Sequence, residues 1–208
     1  MDRVAPMTAA EDRRPRGRPR DPMVEPRMYE AALAVYAERG WYGFSFEAVS
    51  RQAGVGQGSV YRRWSSRGDL LAEAVASRAP AVPPIDTGDS AQDLALLARH
   101  FLLNYRDEIG VVGLRMVLDS RTNPELAVAF GRLLKGARAT DARAVVRRCF
   151  DRGDLRGPTV DLVLEVVSGA TLSHVLYTPP PEGVPPGVTT PADERFLRRL
   201  VESLLVDR

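Results

Sequence analysis

The chain has 208 residues, 44% of them hydrophobic, enough for one large or two small domains around a sizeable core. A formal net charge of only +2 does not by itself point to nucleic acid, and a single cysteine, Cys149, excludes an intrachain disulfide and fits a reducing cytoplasm. No uninterrupted apolar run approaches the ~18 residues of a membrane span, and the Arg- and Pro-rich N-terminus lacks the apolar core of a secretory signal, so no membrane association is expected.

The charge is unevenly placed. Residues 1–78 carry 13 arginines against 10 acids, and residues 79–208 carry 16 basic groups against 17 acids. Basic charge gathered at one end suits a chain that meets phosphate there. Lys135 is the only lysine, which we read as genome base composition, as in a high-GC bacterium. Residues 1–22 read as a disordered basic arm, polar and without periodicity. Within it, Arg16-Gly17-Arg18-Pro19-Arg20 resembles the AT-hook core, an extended segment that lies along a narrow A·T minor groove. Arg16, Arg18 and Arg20 are therefore candidate DNA contacts.

A first helix is expected from about Met23 to Arg39, stopped by Gly40, with Ala32, Val35 and Tyr36 inward. Residues 44–71, FSFEAVSRQAGVGQGSVYRRWSSRGDLL, are the most informative of the chain. Ser45 is a good N-cap, and Phe46, Val49 and Ala53 then share one helical face. Gly54 stops that helix where a positive φ is needed. A second short helix begins near Gln57, with Val60 and Trp64 inward and Gln57, Ser59, Arg62 and Arg63 outward. No acid occurs from Val55 to Arg67. Helix, Gly-containing turn and helix make the helix-turn-helix layout, and the outward face suits a major-groove reader. A further helix runs from about Arg67 to Ala79, closing a DNA-binding unit over residues 23–79. Pro80-Ala81-Val82-Pro83-Pro84 then opens a linker over 80–89.

Residues 90–208 read as a larger helical bundle, giving an all-α fold of about nine helices. Ser90 and Asp93 have capping-box spacing, followed by Leu94, Leu97, Phe101 and Tyr105 at helical intervals. Asn123 and Pro124 open a helix with an inner stripe of Leu126, Phe130, Leu133, Leu134 and Ala137, reaching towards Phe150. Residues 159–177 are apolar almost all round, which implies burial on most sides. Thr190 to Asp193 start the last helix, striped by Phe196, Leu197, Leu200, Val201, Leu204 and Leu205. That stripe needs a partner: its own subunit, or a four-helix interface with a second copy. The Pro-rich 178–189 segment reads equally as a disordered loop or a partner site.

The stretch from about residue 25 to 78 resembles the DNA-binding domain of the tetracycline-repressor (TetR) family. The resemblance rests on Gly40-Trp41, Phe44-Ser45-Phe46, Ala53-Gly54-Val55, Gly58-Ser59-Val60-Tyr61-Arg62-Arg63-Trp64 and Ser66-Arg67-Gly68-Asp69-Leu70-Leu71. The rest of the chain matches in length and helical layout. The resemblance implies a transcriptional regulator, most simply a repressor, binding a pseudo-palindromic double-stranded operator as a homodimer. It places Gln57, Ser59, Tyr61, Arg62 and Arg63 at positions that meet DNA. Arg and Gln suit guanine and adenine edges, and the Tyr61 hydroxyl suits a phosphate. Ser45 and Arg67, at helix N-termini, are further phosphate candidates. The last two helices would form the dimer, with Val163, Val167, Leu172, Phe196, Leu197, Leu200, Val201 and Leu204 as interface candidates. A small-molecule effector would enter the C-terminal domain, shift the fourth helix and spread the recognition helices. Phe101, Asn104, Tyr105, Met116, Phe130, Leu134 and His174 fit such a pocket by type and face, and equally fit core packing.

Other chemistry has little support. His100 and His174 are the only histidines and no Cys-His cluster exists, so neither a metal nor any other cofactor is expected. There is no Gly-rich phosphate loop, GxSxG or paired-carboxylate pattern. Ser173 and His174 are helical neighbours facing different ways. Arg115 and Asp119 read as a surface pair. The remaining alternatives are a DNA-binding protein without a ligand, controlled by a partner or acting architecturally, and an enzyme with an accessory helix-turn-helix.

Overall fold

The computed structural model describes residues 22–134, 137–157 and 159–206, and among them forms ten helices and no strand. The candidate contacts Arg16, Arg18 and Arg20 lie outside the described residues, as do the side chains of Leu133, Leu134 and Ala137.

Helix α1 (Val24–Gly43) breaks at Gly40 as expected, since φ 63 and ψ −170 there are not helical, and a last short turn follows the break to Gly43. Helix α2 (Phe46–Ala53) starts as read, Ser45 Oγ accepting from the Ala48 amide at 3.1 Å. It ends on Gly54 at φ 66. Helix α3 (Gln57–Tyr61) has only five residues. Trp64 lies beyond the named end of α3 but keeps its register, its amide donating to the Val60 carbonyl at 3.1 Å, and both side chains are buried as expected. Helix α4 (Arg67–Arg78) is capped by Ser66.

The second region holds α5 (Ser90–Arg106), α6 (Glu108–Ser120), α7 (Pro124–Leu134), α8 (Ala137–Asp151), α9 (Val160–Tyr177) and α10 (Pro191–Leu204). The helix expected to run from Pro124 towards Phe150 is therefore two, which raises the expected nine to ten. Asp89, not a Ser90–Asp93 box, caps α5. Asp93 is freed for the linker, accepting from the Thr87 amide and hydroxyl and from Arg152. Asn123 turns its amide nitrogen back to the Asp119 carbonyl. Thr190 caps α10 as expected, and the acid expected in its first turn, Asp193, completes a capping box.

Two apolar cores result. The first joins α1–α4 to Val112 and Met116 of α6 and Leu126 of α7. The second joins α5, α8, α9 and α10 with Val82 and Ile85 of the linker, which is thereby packed down. Cys149 is buried there, and burial pushes its thiol up from the usual value.

The second core corrects several interface candidates. Val163, Val167, Leu197, Leu200, Val201 and Leu204 are at most 8% exposed within their own chain, so they offer little surface to a second copy. Leu172 and Phe196 are half-buried. Helix α9 also departs from the expectation of all-round burial. It buries Val163, Val167 and Thr171 and leaves Leu162, Val166, Leu176 and Tyr177 exposed. With 18 residues and a mean hydropathy of 1.3, α9 is long and apolar enough to cross a membrane. An unbroken apolar run is a stricter criterion, and Asp161 and Glu165 interrupt it. The helix packs against α5, α8 and α10.

Candidate nucleic-acid interface and cavity

The recognition unit is set from inside. Val60 is fully buried, and the buried Trp64 donates its indole N–H to Glu73 at 2.6 Å while meeting Tyr29 edge-on. These anchors turn the other side of α3 outward. Gln57, Tyr61, Arg62 and Arg63 are exposed, Tyr61 at 55% of its surface, and Ser59 is half-buried. Arg62 donates to Ser59 Oγ at 3.2 Å and Arg63 to the Ser59 carbonyl at 3.0 Å. A Cβ at Gly54 or Gly56 would meet nothing within 4 Å, so the backbone of the turn lies bare. Phe46 packs edge-on against Tyr61, and the Tyr61 hydroxyl donates to Glu47 at 2.8 Å. That bond holds the Glu47 carboxyl below its usual range and must open before Tyr61 can give its proton to a phosphate.

Arg67 is not a free phosphate contact. Its guanidinium lies 4.1 Å over the Trp41 ring and donates to the Phe44 and Trp41 carbonyls at 2.7 and 3.2 Å. It also reaches Glu125 at 3.4 Å. Glu125 accepts from the Gly68 amide as well, so the start of α7 is clamped to the start of α4. A depression lined by Ser45, Tyr61, Ser66 and Arg67 marks where the starts of α2 and α4 meet.

Arg115 and Asp119 are likewise not a mere surface pair. Asp119 accepts from the buried Tyr36 hydroxyl at 2.7 Å. Burial and that bond push the phenol far above its usual value. Arg115 donates to the Tyr36 and Ala37 carbonyls at 3.4 and 2.9 Å. Two residues of α6 thus hold the DNA-binding unit through α1. Nothing local in the sequence signals this, since the partners are 83 residues apart.

A cavity of about 470 Å³ lies between α4, α5, α6, α7, α8 and α9. Four of the seven pocket candidates line it: Phe101, Asn104, Tyr105 and Phe130. Met116 does not, because it is fully buried in the first core. His174 does not either. Its ring bonds Asp193 at 2.8 Å and stacks on Phe196 with centroids 4.1 Å apart. Leu172 lines the cavity too. Sequence periodicity gives no sign of Val75 and Ala79 at the end of α4, which line it, nor of Gly113 of α6, where a Cβ would meet nothing within 4 Å.

Beside the cavity the 178–189 segment forms a strap of two turns, Val184 to Pro181 and Val188 to Pro185. It walls a second crevice that shares Pro80, His100, Asn104 and Ile109 with the cavity. Asp193 ties its ends. The fully buried carboxylate accepts from Arg106 at 2.6 and 2.8 Å and from the Thr190 amide and hydroxyl at 2.6 and 2.8 Å. Arg106 reaches on to the Thr178 carbonyl. Burial alone would raise the Asp193 pKa, but the bonds from Arg106, Thr190 and His174 outweigh it and hold the carboxyl well below its usual value. Among the described residues no cluster of His, Cys, Asp and Glu could hold a metal.

Comparison with known proteins agrees with this geometry. Residues 29–74 match the family model described as bacterial regulatory proteins, tetR family, and residues 84–204 match the tetracyclin repressor-like C-terminal domain. The HTH-type transcriptional regulator AqdR of Rhodococcus erythropolis is 32% identical over 173 residues, 83% of each chain. A transcriptional regulator from Rhodococcus sp. Rha1 superposes with a TM-score of 0.57 at 24% identity, over 86% of this chain and 95% of that one. A TetR-family protein of Vibrio parahaemolyticus reaches a TM-score of 0.66 at 17% identity, over 88% and 98%. The chain belongs to the TetR family of helix-turn-helix transcriptional regulators.

Proposed function

We propose that the protein is a dimeric repressor that binds a pseudo-palindromic operator through α3 and releases it when a small molecule fills the cavity. One observation carries this reading: three helices each touch the DNA-binding unit at one place and the cavity at another. Helix α4 begins beside α3 and brings Val75 and Ala79 to the cavity. Helix α7 clamps Gly68 through Glu125 and lines the cavity with Phe130. Helix α6 grips α1 through Arg115 and Asp119 and lines the cavity with Gly113 and Val117. A ligand that prefers the cavity with α4 displaced lowers operator affinity by its differential affinity for the two states, commonly about 1–3 kcal/mol.

The dimer face in this reading is the exposed side of α9, Leu162, Val166, Leu176 and Tyr177, with the small Gly169 and Ser173 between them. It replaces the stripe that the second core consumes. Two-fold pairing sets two α3 helices one groove repeat apart. The arginines of the 1–22 arm add minor-groove contacts, and the site of action is the cytoplasm. The test is selection of genomic fragments by the full-length protein at physiological salt. An enriched palindrome is expected. Diffuse enrichment that salt abolishes is purely electrostatic binding, and it overturns the reading.

A further inference from the structure

The cavity has a chemical character of its own, and the ligand class it implies rests on this space being the effector site. Among the described residues its lining holds no Asp, Glu, Lys or Arg. An ion placed there would lose its water and meet no permanently charged side chain, only the ionisable His100, so the site disfavours charged ligands. Phe101 and Tyr105 present near-parallel rings, 6.3 Å apart and 21° from coplanar, and Phe130 joins them on the wall. Flat apolar groups pack well against such surfaces.

The polar groups of this lining belong to His100, Asn104, Tyr105 and Ser168, and one atom among them is buried without a partner. Asn104 Oδ1 is buried and accepts no hydrogen bond. Buried amide oxygens are nearly always bonded, and an unmet one costs its full desolvation. Asn104 lines both the cavity and the crevice beneath the strap, so it stands where the two spaces join. A ligand entering by way of the strap would pass it. We propose that the cavity takes an uncharged, largely aromatic small molecule that donates one hydrogen bond, from an O–H or N–H, to Asn104 Oδ1.

The test uses three probes of one shape, titrated calorimetrically into the full-length protein at pH 7: 2-naphthol, 2-methoxynaphthalene and 2-naphthoate. 2-Naphthol should bind roughly tenfold tighter than the ether, which has the ring and the oxygen but no proton to give. 2-Naphthoate should bind more weakly than either. Asn104→Leu should bring the naphthol-to-ether ratio near one by weakening naphthol alone. Gly113→Leu, which fills open space, should abolish binding of both. The wild-type ratio decides the matter even if a variant misfolds. Equal binding of naphthol and ether overturns the donor inference while leaving an effector cavity in place. Naphthoate binding as tightly as naphthol overturns the requirement for an uncharged ligand. Binding that survives in a folded Gly113→Leu variant puts the probes elsewhere and overturns the assignment. If none of the three binds, the inference of an aromatic ligand falls, while the effector-cavity reading, which names no ligand class, is left in place.

Discussion

The hydroxyl of Tyr36, in the first helix, donates to Asp119 of α6 at 2.7 Å, and through this part-buried contact the DNA-binding unit is fastened to the bundle that holds the cavity. Tyr36→Phe removes the donor and keeps the ring. It should lower unfolding free energy by about 0.5–1.5 kcal/mol. It should also weaken the effect of any cavity ligand on operator affinity, because α6 holds α1 less firmly. Urea unfolding and operator binding with and without ligand measure the two effects. Unchanged values in both would mean that this bond couples nothing.

Gln57 on α3 and Arg63 in the turn after it stand exposed, with no acid from Val55 to Arg67. Replacing either by alanine should cost about 1–3 kcal/mol on the selected operator and much less on random duplex. Fluorescence anisotropy on both DNAs tells base reading from backbone contact, since an equal loss on the two would assign them to phosphate.

Arg67 should behave differently, although it is an arginine in the same unit. It serves the Phe44 and Trp41 carbonyls, so Arg67→Ala should lower stability by about 1–3 kcal/mol. The salt dependence of DNA binding should stay as steep as in the wild type, because no phosphate contact is lost. A flatter slope with unchanged stability would return Arg67 to the operator.

Asp193 predicts how stability falls with acid. Its folded carboxyl titrates below the ordinary value of 3.8, so near that pH and below it the unfolded chain binds more protons than the folded one. Stability therefore rises with pH in that window. The contribution is fully present above about pH 4 and is lost as pH falls through the lower folded value. Asp193→Asn strands the largely buried Arg106, 12% exposed, and should cost about 3–5 kcal/mol at pH 7. Urea melts at pH 7 and pH 3 should show the gap between variant and wild type closing in acid. A constant gap would mean that the carboxylate charge is not what holds the strap.

On α9, Val166→Glu or Leu176→Glu places a charge on the exposed apolar side without touching the core. Sedimentation should show dimers falling to monomers, with little change in helix content. Leu200→Glu, in the stripe that the sequence offered as an interface, should unfold the chain instead, because Leu200 is buried within the subunit. A dimer that survives both α9 substitutions would move the interface elsewhere.

Local signals made much of the fold legible. Ser45, Gly54 and the Thr190–Asp193 start signal mark helix ends by bonds to neighbours within a few residues, and all three do so in the structure. Periodicity correctly showed that Leu197, Leu200, Val201 and Leu204 are covered, but a stripe carries no label for what covers it. The misread polar residues share one cause. Arg67, Arg115 and His174 each find partners far along the chain, and their roles depend on packing that no short window contains. In the cavity, Phe101, Asn104, Tyr105 and Phe130 were recognisable by type and face. The open space itself comes from six helices meeting around small residues such as Gly113, and no single helix records it.

The first core, with Val112, Met116 and Leu126 packed among the residues of α1–α4, has a practical consequence for exchanging binding specificities between regulators. A transplant of residues 23–79 alone would tear those three side chains from their sockets and leave an apolar wound on both donor and recipient. The unit that can be moved intact includes the face of α6 and the opening turn of α7. A chimera cut at the linker should aggregate, and one that also carries the matching α6 and α7 residues should stay in solution.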